Sequence, residues 1–361
     1  MFERYARQIV LPQIGKLGQK KLQQTSVLCI GAGGLGSSAL LYLASAGIGN
    51  IAICDNDTVS LDNLQRQVLY DEQDINKKKS VIATKKLSRL NSSITIEAIP
   101  DFLTAKNAAI LSGYDYVLDA SDNFATKLLL NDACHFFKKP LISASVLQFQ
   151  GQLSVYCHPE GPCLRCLYGA IENMKSENCA EAGVLGMIPG WFGILQAFEI
   201  VKLCLNLPNP LIGKLCDWDL LSALPRIFEF KRDPDCLLCT GKASFATLWQ
   251  NLVIPEVSVQ HQISPIELFN RLAQNEDIFL LDVRNPDEHQ AFNIGGTLIP
   301  LSELAERVSE IPTNKPIVLY CHSGYRSQVA LELLQNAGFK DLFNLIGGVV
   351  AWQQSQVGHL T

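Results

Sequence analysis

The sequence predicts an α/β fold in two parts, a Rossmann-like doubly wound sheet followed by a smaller α/β domain. Three observations carry this expectation. Short apolar runs alternate with helix-length stretches from Ser26 onward. A glycine-rich turn, Gly31-Ala32-Gly33-Gly34-Leu35-Gly36, joins the first apolar run to the first helix. The alternation lapses between Gly241 and Pro255 and then resumes on a smaller scale.

Val27 to Ile30 is a short apolar run of the kind buried in a parallel sheet. After the glycine turn, Ser37 to Ala46 reads as a helix, and Ile51 to Cys54 as a second strand ending at Asp55. A helix over Lys79 to Leu90, a strand at Ile94 to Ile99, a helix from Ala105 and a strand at Tyr116 to Asp119 continue the pattern. Pro140 to Ser143 and Gly151 to Tyr156 add strands. Val184 to Leu205 is the longest apolar region. Pro189, three glycines, Glu199 and Lys202 interrupt it, so it reads as a buried loop running into a core helix, not as a membrane span. The second part shows a strand at Ile278 to Val283, a helix around Leu301 to Val308, a strand at Ile317 to Cys321 and a helix from Arg326 to Ala337. The divisions expected are 1–245 and 257–361, with 246–256 as linker; no internal repeat or low-complexity segment is visible.

Composition narrows the function. Of 361 residues, 48% are hydrophobic and 18% charged, which suits a globular enzyme and argues against disorder. A net charge of −5 gives no general attraction for nucleic acid. Met1 to Arg7 is charged at once and offers no apolar run of the signal-peptide kind, so a cytoplasmic protein is expected. The 12 cysteines then read as core fillers, metal ligands or reactive thiols, not disulfides.

Gly31-x-Gly33-x-x-Gly36 between a strand and a helix presents backbone N–H groups and a helix N-terminus to a phosphate. Asp55 stands where a ribose hydroxyl is bound in a Rossmann domain. Alone, these features favour a nicotinamide-dependent dehydrogenase. The following residues point elsewhere. Asp55-x-Asp57-x-Val59-x-x-x-Asn63-Leu64-x-Arg66-Gln67 resembles the signature of the MoeB/ThiF and ubiquitin-activating-enzyme superfamily. Arg4-Tyr5-x-Arg7-Gln8, Ser121-Asp122-Asn123 and the pairs Cys163-x-x-Cys166 and Cys236-x-x-Cys239 extend the resemblance over roughly Tyr5 to Gly241.

The resemblance implies adenylation, in which a carboxylate attacks the α-phosphate of ATP. Two anions must meet, so cations at the phosphates and a metal ion are needed. It implies a nucleotide site of Gly31, Gly33, Gly34, Gly36, Asp55, Asp57, Asn63, Arg66, Lys79, Asp122 and Asn123. Within it Arg66 and Lys79 bind phosphates, Asp55 the ribose, Asn63 supports the phosphate site, and Asp122 helps hold magnesium. Arg7 acts as a finger into the partner subunit of a homodimer. The residues alone also allow Lys79 to belong to a solvated charge run, Lys77 to Lys79, and Asp122 to be a helix cap.

Two C-x-x-C pairs supply thiolates for one tetrahedral zinc with no open position, a structural site; a redox pair is the competing reading. Cys179, in Glu177 to Gly183, falls in what the family makes a crossover loop, where the equivalent cysteine bonds covalently to the activated carrier. Cys29, Cys54, Cys134, Cys157, Cys204 and Cys216 read as small core residues.

Cys321-His322-Ser323-Gly324-Tyr325-Arg326-Ser327 follows an apolar strand and opens a helix, so a thiol there meets N–H groups and the positive helix end. It resembles the rhodanese loop, with Cys321 as persulfide carrier and Gly324, Arg326 and Ser327 completing the loop. Leu281-Asp282-Val283-Arg284 and Gly347-Gly348-x-x-x-Trp352 are further rhodanese marks. A Cdc25-like phosphatase loop has one more residue between cysteine and arginine, enough to surround a phosphate. Phe292 to Thr297 departs from the usual rhodanese Gly-His-Ile-Pro-Gly-Ala and is one residue shorter before Ile299.

The order of the two parts resembles the eukaryotic fusion that activates sulfur carriers for molybdopterin and tRNA thiolation, and its bacterial MoeB–rhodanese relatives. That implies ATP, magnesium and zinc, a ubiquitin-like carrier ending in Gly-Gly, a cysteine desulfurase as sulfur donor, and neither nucleic acid nor membrane as partner. A dinucleotide-dependent oxidoreductase with a rhodanese appendage and a non-catalytic sulfur-relay scaffold remain the alternatives.

Overall fold

The computed structural model describes residues 3–169, 183–245, 248–249, 262–301, 303–321 and 324–357. Cys179 lies outside them. The chain divides into two compact units, Met1–Leu252 and Val253–Thr361.

The first unit opens with helices α1 (Ala6–Ile9) and α2 (Gly15–Gln24). The sheet then begins: β1 (Ser26–Ile30), α3 (Gly34–Ala46), β2 (Asn50–Cys54), α4 (Lys79–Leu90), β3 (Thr95–Ile99) and β4 (Tyr116–Asp119). There follow α5 (Phe124–Phe137), β5 (Leu141–Leu147), β6 (Gln150–Tyr156), α6 (Leu164–Tyr168), α7 (Met187–Leu205), β7 (Lys214–Asp219) and β8 (Leu224–Glu229). The eight strands run in the order β3-β2-β1-β4-β5-β6-β7-β8. Pairings from β3 to β5 are parallel; those from β5 to β8 are antiparallel.

The doubly wound expectation therefore holds for one half of the sheet, and an antiparallel meander extends the other. The reason is connection length: β5 and β6 are separated by too few residues for a crossover helix, so only a hairpin can join them. Val27 and Cys29 point to one core, with α3 and α7, while Leu28 and Ile30 point to another, with α5. The expected helix from Ala105 is instead a 3-10 helix, Ala108–Gly113. Asn107 explains this: its side chain accepts from Thr104 N at 2.7 Å and donates to Phe102 O at 2.8 Å, fixing a turn that uses up the start of the segment.

Helix α7 is long and apolar enough by length and composition to cross a membrane. Its buried residues, among them Phe192, Gln196 and Ile200, pack on the sheet instead. Gln196 donates to Asp119 O at 2.7 Å and Ile142 O at 3.1 Å, so this helix grips the middle of the sheet by backbone contacts.

The second unit contains β9 (Gln262–Ile263), α8 (Pro265–Ala273), β10 (Phe279–Asp282), α9 (Pro286–Ala291), β11 (Thr297–Leu298), β12 (Ile317–Tyr320), α10 (Tyr325–Asn336), β13 (Leu342–Leu345) and α11 (Gly348–Val357). Its sheet is wholly parallel, in the order β11-β10-β12-β13-β9. The expected helix over Leu301 to Val308 is a series of turns followed by a 3-10 helix, Val308–Glu310. Backbone bonds there reach back mostly by three residues, as in Glu303 N to Pro300 O and Glu306 N to Glu303 O. Arg307 clamps the segment by pairing with both Glu303 and Glu310.

Candidate functional site

The first site forms where strand order reverses, at the carboxyl ends of β1 and β4, the place a doubly wound sheet binds ligands. Gly31 has φ +92°, and a Cβ there would lie 2.6 Å from Ala120 O; a Cβ on Gly36 would lie 2.2 Å from Gly31 O. Only glycine lets the turn after β1 press on both the end of β4 and the first turn of α3. No side chain caps the N-terminus of α3, so its N–H groups remain available to an anion.

Asp55 ties this turn to the next. One carboxylate oxygen accepts from Ala32 N at 2.7 Å and the other from Asp57 N at 2.8 Å. Burial pushes the Asp55 carboxyl above its usual range, and the nearby Lys79 ammonium opposes that shift. Lys79 opens α4, is 6% exposed, and pairs with exposed Asp57 at 3.2 Å. A buried ammonium at the positive end of a helix is electrostatically unfavourable unless further anions arrive. Its place in a solvated charge run is thereby excluded, whereas Lys77 and Lys78 are exposed.

Asn63 is buried, and its carbonyl accepts from Arg66 N at 3.0 Å and Gln67 N at 2.9 Å. Arg66 lays its stem over Gly34, whose added Cβ would be 3.6 Å from Arg66 Cγ, and its guanidinium donates to Asp62 O. Gln67 is buried beside Gly33, and its Oε1 has no hydrogen-bond partner among the described residues. The atom of this side chain recorded beside Gly33 is Nε2, and the orphaned oxygen is an acceptor that an added donor would satisfy. Gln67 belongs to the sequence signature yet was not expected in the site; nothing in the sequence alone shows that its oxygen is unpaired.

Ser121-Asp122-Asn123 leads from β4 into α5. The cap of that helix is Asn123, whose Oδ1 accepts from Thr126 N at 2.9 Å. Asp122 is exposed and does not cap. Arg7 is exposed on α1 and forms no ion pair with this cluster among the described residues.

The four cysteines Cys163, Cys166, Cys236 and Cys239 converge, with all Sγ atoms within 4.8 Å of one another. The separations Cys163–Cys166, Cys163–Cys236 and Cys166–Cys239 are 3.8, 3.6 and 3.5 Å. A tetrahedral zinc with bonds of about 2.3 Å requires sulfur edges of about 3.8 Å, so this set fits a metal. The Cys163 thiol donating to it, with His135 beside it, holds the Cys239 thiol well below its usual range. Arg165, between the first two cysteines, makes a bidentate pair with buried Asp132 at 2.8 and 2.6 Å, and Trp249 donates to the same carboxylate at 3.0 Å. Of the cysteines expected in the core, Cys29, Cys54, Cys134, Cys157 and Cys216 are buried, while Cys204 is half-buried against Thr25.

In the second unit Cys321 leaves β12 and is 1% exposed. Its Sγ accepts from Gly324 N at 3.1 Å and Ser327 Oγ at 3.3 Å, at the start of α10. Such donors stabilise sulfur bearing negative charge. Val349 N holds the Cys321 carbonyl at 2.9 Å, which joins the Gly347-Gly348 turn to this loop. Arg326 makes a bidentate pair with Glu288 at 2.6 and 2.7 Å. Behind it, Asp282 accepts from Arg284 and lies 2.8 Å from His289 Nδ1. In the segment that departs from the usual rhodanese pattern, a Cβ on Gly296 would lie 2.2 Å from Leu280 O, and Tyr320 donates to Gly295 O at 2.8 Å. The shortened loop is thus pressed onto β10. Glu288 and His289 carry no local signal in the sequence that marks them as the partners of Arg326 and Asp282.

Comparison with known proteins accords with the two-part fold. Residues 5–238 match the ThiF family and residues 264–355 the rhodanese-like domain. The maize protein named adenylyltransferase and sulfurtransferase MOCS3-1 is 35% identical over 380 residues, covering 98% of this chain and 81% of its own. The protein of that type from Anopheles gambiae is 37% identical over 381 residues, covering 98% of this chain and 86% of its own. A crystal structure of E. coli MccB with MccA-N7isoASN, 22% identical, covers 66% of this chain and 74% of its own with a TM-score of 0.58, a likeness of fold. The chain belongs to the ThiF family and carries a rhodanese-like domain after the ThiF domain.

Proposed function

We propose that this chain activates a ubiquitin-like sulfur carrier with ATP and then loads it with sulfur, as an adenylyltransferase and sulfurtransferase. The observation that carries the reading is the pairing, in one chain, of a phosphate-ready turn holding buried Lys79 with a cysteine whose sulfur faces hydrogen-bond donors at a helix start. Residues 1–245 would form the adenylating part and 257–361 the sulfur-handling part.

In the first stage a carboxylate oxygen of the carrier's C-terminal glycine attacks the α-phosphorus of ATP, the bond to the β-phosphate breaks, and pyrophosphate leaves. The α3 N-terminus, Arg66 and Lys79 would hold the phosphates and Asp55 the ribose, with Asn63, Asp57 and Asn123 shaping the site. Asp122 would hold the magnesium ion that offsets the charge of the departing group. Arg7 would reach the nucleotide of a partner subunit in a homodimer. The cysteines Cys163, Cys166, Cys236 and Cys239 would hold zinc with no open position, so their contribution is to the fold.

In the second stage the outer sulfur of a Cys321 persulfide attacks the acyl carbon, AMP leaves, and an acyl disulfide forms. A thiolate, assigned to Cys179, attacks the Cys321 sulfur; the carrier leaves as a thiocarboxylate, and the Cys179–Cys321 disulfide is reset by an external dithiol. A cysteine desulfurase would renew the persulfide, and the setting is cytoplasmic. The relatives' names support adenylyl and sulfur transfer, and molybdenum cofactor synthesis or a related thiolation is the pathway proposed.

The test is ATP–pyrophosphate exchange with a carrier ending in Gly-Gly, followed by mass spectrometry of the carrier after adding a sulfur donor. Exchange that requires carrier, and a carrier mass gain matching replacement of one oxygen by sulfur, is expected. Tight NADH binding with no exchange would favour the oxidoreductase reading instead.

A further inference from the structure

Behind the exposed turn Ser121-Asp122-Asn123 lies a buried ion pair that the adenylation chemistry described above does not use. Asp119 ends β4 and is fully buried; Lys127, on the second turn of α5, is 6% exposed. Lys127 Nζ lies 2.9 Å from Asp119 Oδ2 and donates to Ala144 O at 2.7 Å. Ser143 Oγ donates to the same carboxylate oxygen at 2.5 Å. The other oxygen accepts from Ser121 N at 3.0 Å and Ser121 Oγ at 2.5 Å. Four of these five contacts converge on the Asp119 carboxylate, and the two from Ser121 tie it to the turn that bears Asp122.

Such a pair, even when satisfied as this one is, is weak evidence for a role in stability alone. Removing two charges from water costs more than their attraction returns unless the geometry is fully satisfied, and an apolar pair of similar volume often serves the fold as well or better. What it supplies here is direction. Asp119 fixes the first residue of the turn by two hydrogen bonds, and its backbone carbonyl is held by Gln196 at 2.7 Å. Ala120 N donates to Ile30 O at 2.9 Å, and Ala120 O is the atom a Cβ on Gly31 would strike. Lys127 joins this assembly to β5 through Ala144 and to α5 through its own backbone. The glycine turn and the Asp122 turn are thereby held in fixed register, with only Asp122 left outside the network.

We propose that Lys127 is a positioning residue for adenylation, holding the Asp122 turn through Asp119 so that Asp122 can receive a magnesium-bound nucleotide. The proposal rests on the adenylation reading, and the two fail differently: if the unaltered chain shows no carrier-dependent exchange, that reading fails whatever Lys127 does.

The test compares Lys127→Met, Lys127→Arg and Asp119→Asn with the unaltered full chain. The magnesium midpoint of ATP–pyrophosphate exchange is measured together with the KM for ATP. Equilibrium binding of a fluorescent ATP analogue is followed with and without magnesium. Sulfur transfer from thiosulfate to cyanide by the second unit normalises the amount of chain, and the melting temperature of each variant reports the fold of the first unit. Loss of such an outer support shifts metal affinity by about tenfold to a hundredfold. Lys127→Met should raise the magnesium midpoint by about that factor and weaken analogue binding only when magnesium is present. Lys127→Arg should restore most of the shift, and Asp119→Asn should resemble Lys127→Met. A purely structural role would lower the melting temperature and the amount of active enzyme while the surviving enzyme kept a normal magnesium midpoint. That result, or equal loss of analogue binding with and without magnesium, overturns the proposal. If Lys127→Met does not fold, the Asp119→Asn midpoint decides in the same way.

Discussion

Lys79 is an expensive residue for a protein to place where it stands, buried at the positive end of a helix with one exposed carboxylate for company. In Lys79→Ala, carrier-dependent ATP–pyrophosphate exchange should fall on the order of a hundredfold, as when one transition-state donor is lost. The fold should survive, because the alanine removes a cost as well as a contact. Unchanged exchange would remove Lys79 from the phosphate site. Asn123 is the contrasting case, since its side chain caps α5. Asn123→Ala should cost about 1 kcal/mol of stability, measured by denaturant unfolding. In the second unit, hydrogen bonding to Arg326 holds the Glu288 carboxyl below its usual range. A depressed carboxyl contributes stability above its unfolded pKa, about 4.3, and loses it as pH falls through the lower folded value. Thermal unfolding should therefore separate Glu288→Gln from the unaltered chain at pH 7, with the gap closing as the pH falls below about 4. A gap independent of pH would show that the pair's charge contributes nothing.

At the scale of elements, the sequence was most legible where an apolar run and its neighbours agreed. The strand at Tyr116–Asp119 and the helix at Lys79–Leu90 lie where the pattern placed them. It was least legible where a side chain or a short connection overrode the pattern. Asn107 turned an expected helix into a 3-10 segment, and the short β5–β6 connection turned a parallel sheet antiparallel. The candidate sites followed the same rule. The glycine turn, Asp55 and the cysteine pairs announce themselves by spacing, whereas Gln67, Lys127 and Glu288 matter through neighbours distant in sequence. The cysteine cluster makes the clearest claim at this scale. Elemental analysis should find one zinc per chain if the four thiols act as one site, and Cys236→Ser should lower both zinc content and melting temperature. A metal-free chain with an unchanged melt would refute the centre.

For the molecule as a whole, adenylation and sulfur storage are assigned to separate compact units, so they should be separable by single substitutions. Cys321→Ala should abolish sulfur transfer from thiosulfate and thiocarboxylate formation while leaving ATP–pyrophosphate exchange intact. Cys179→Ala should leave exchange and thiosulfate sulfur transfer intact and slow release from the acyl disulfide. Mass spectrometry of the carrier after incubation with ATP, donor and each variant distinguishes them. A normal yield of thiocarboxylate from the Cys321 variant would show that the sulfur takes another route.

The near-complete burial of Cys321 carries a consequence beyond transfer itself. Sulfur at the oxidation level of a persulfide is perishable: oxygen, peroxides and stray electrophiles all consume it. A thiol sunk below the surface, with its sulfur already engaged by Gly324 and Ser327, is shielded from bulky electrophiles, though not from oxygen or peroxide. On the reading proposed above, the acyl group that this sulfur receives comes on a slender polypeptide end without side chains. Durability in storage and selectivity for a thin visitor would then be the same property, set by the depth of one atom.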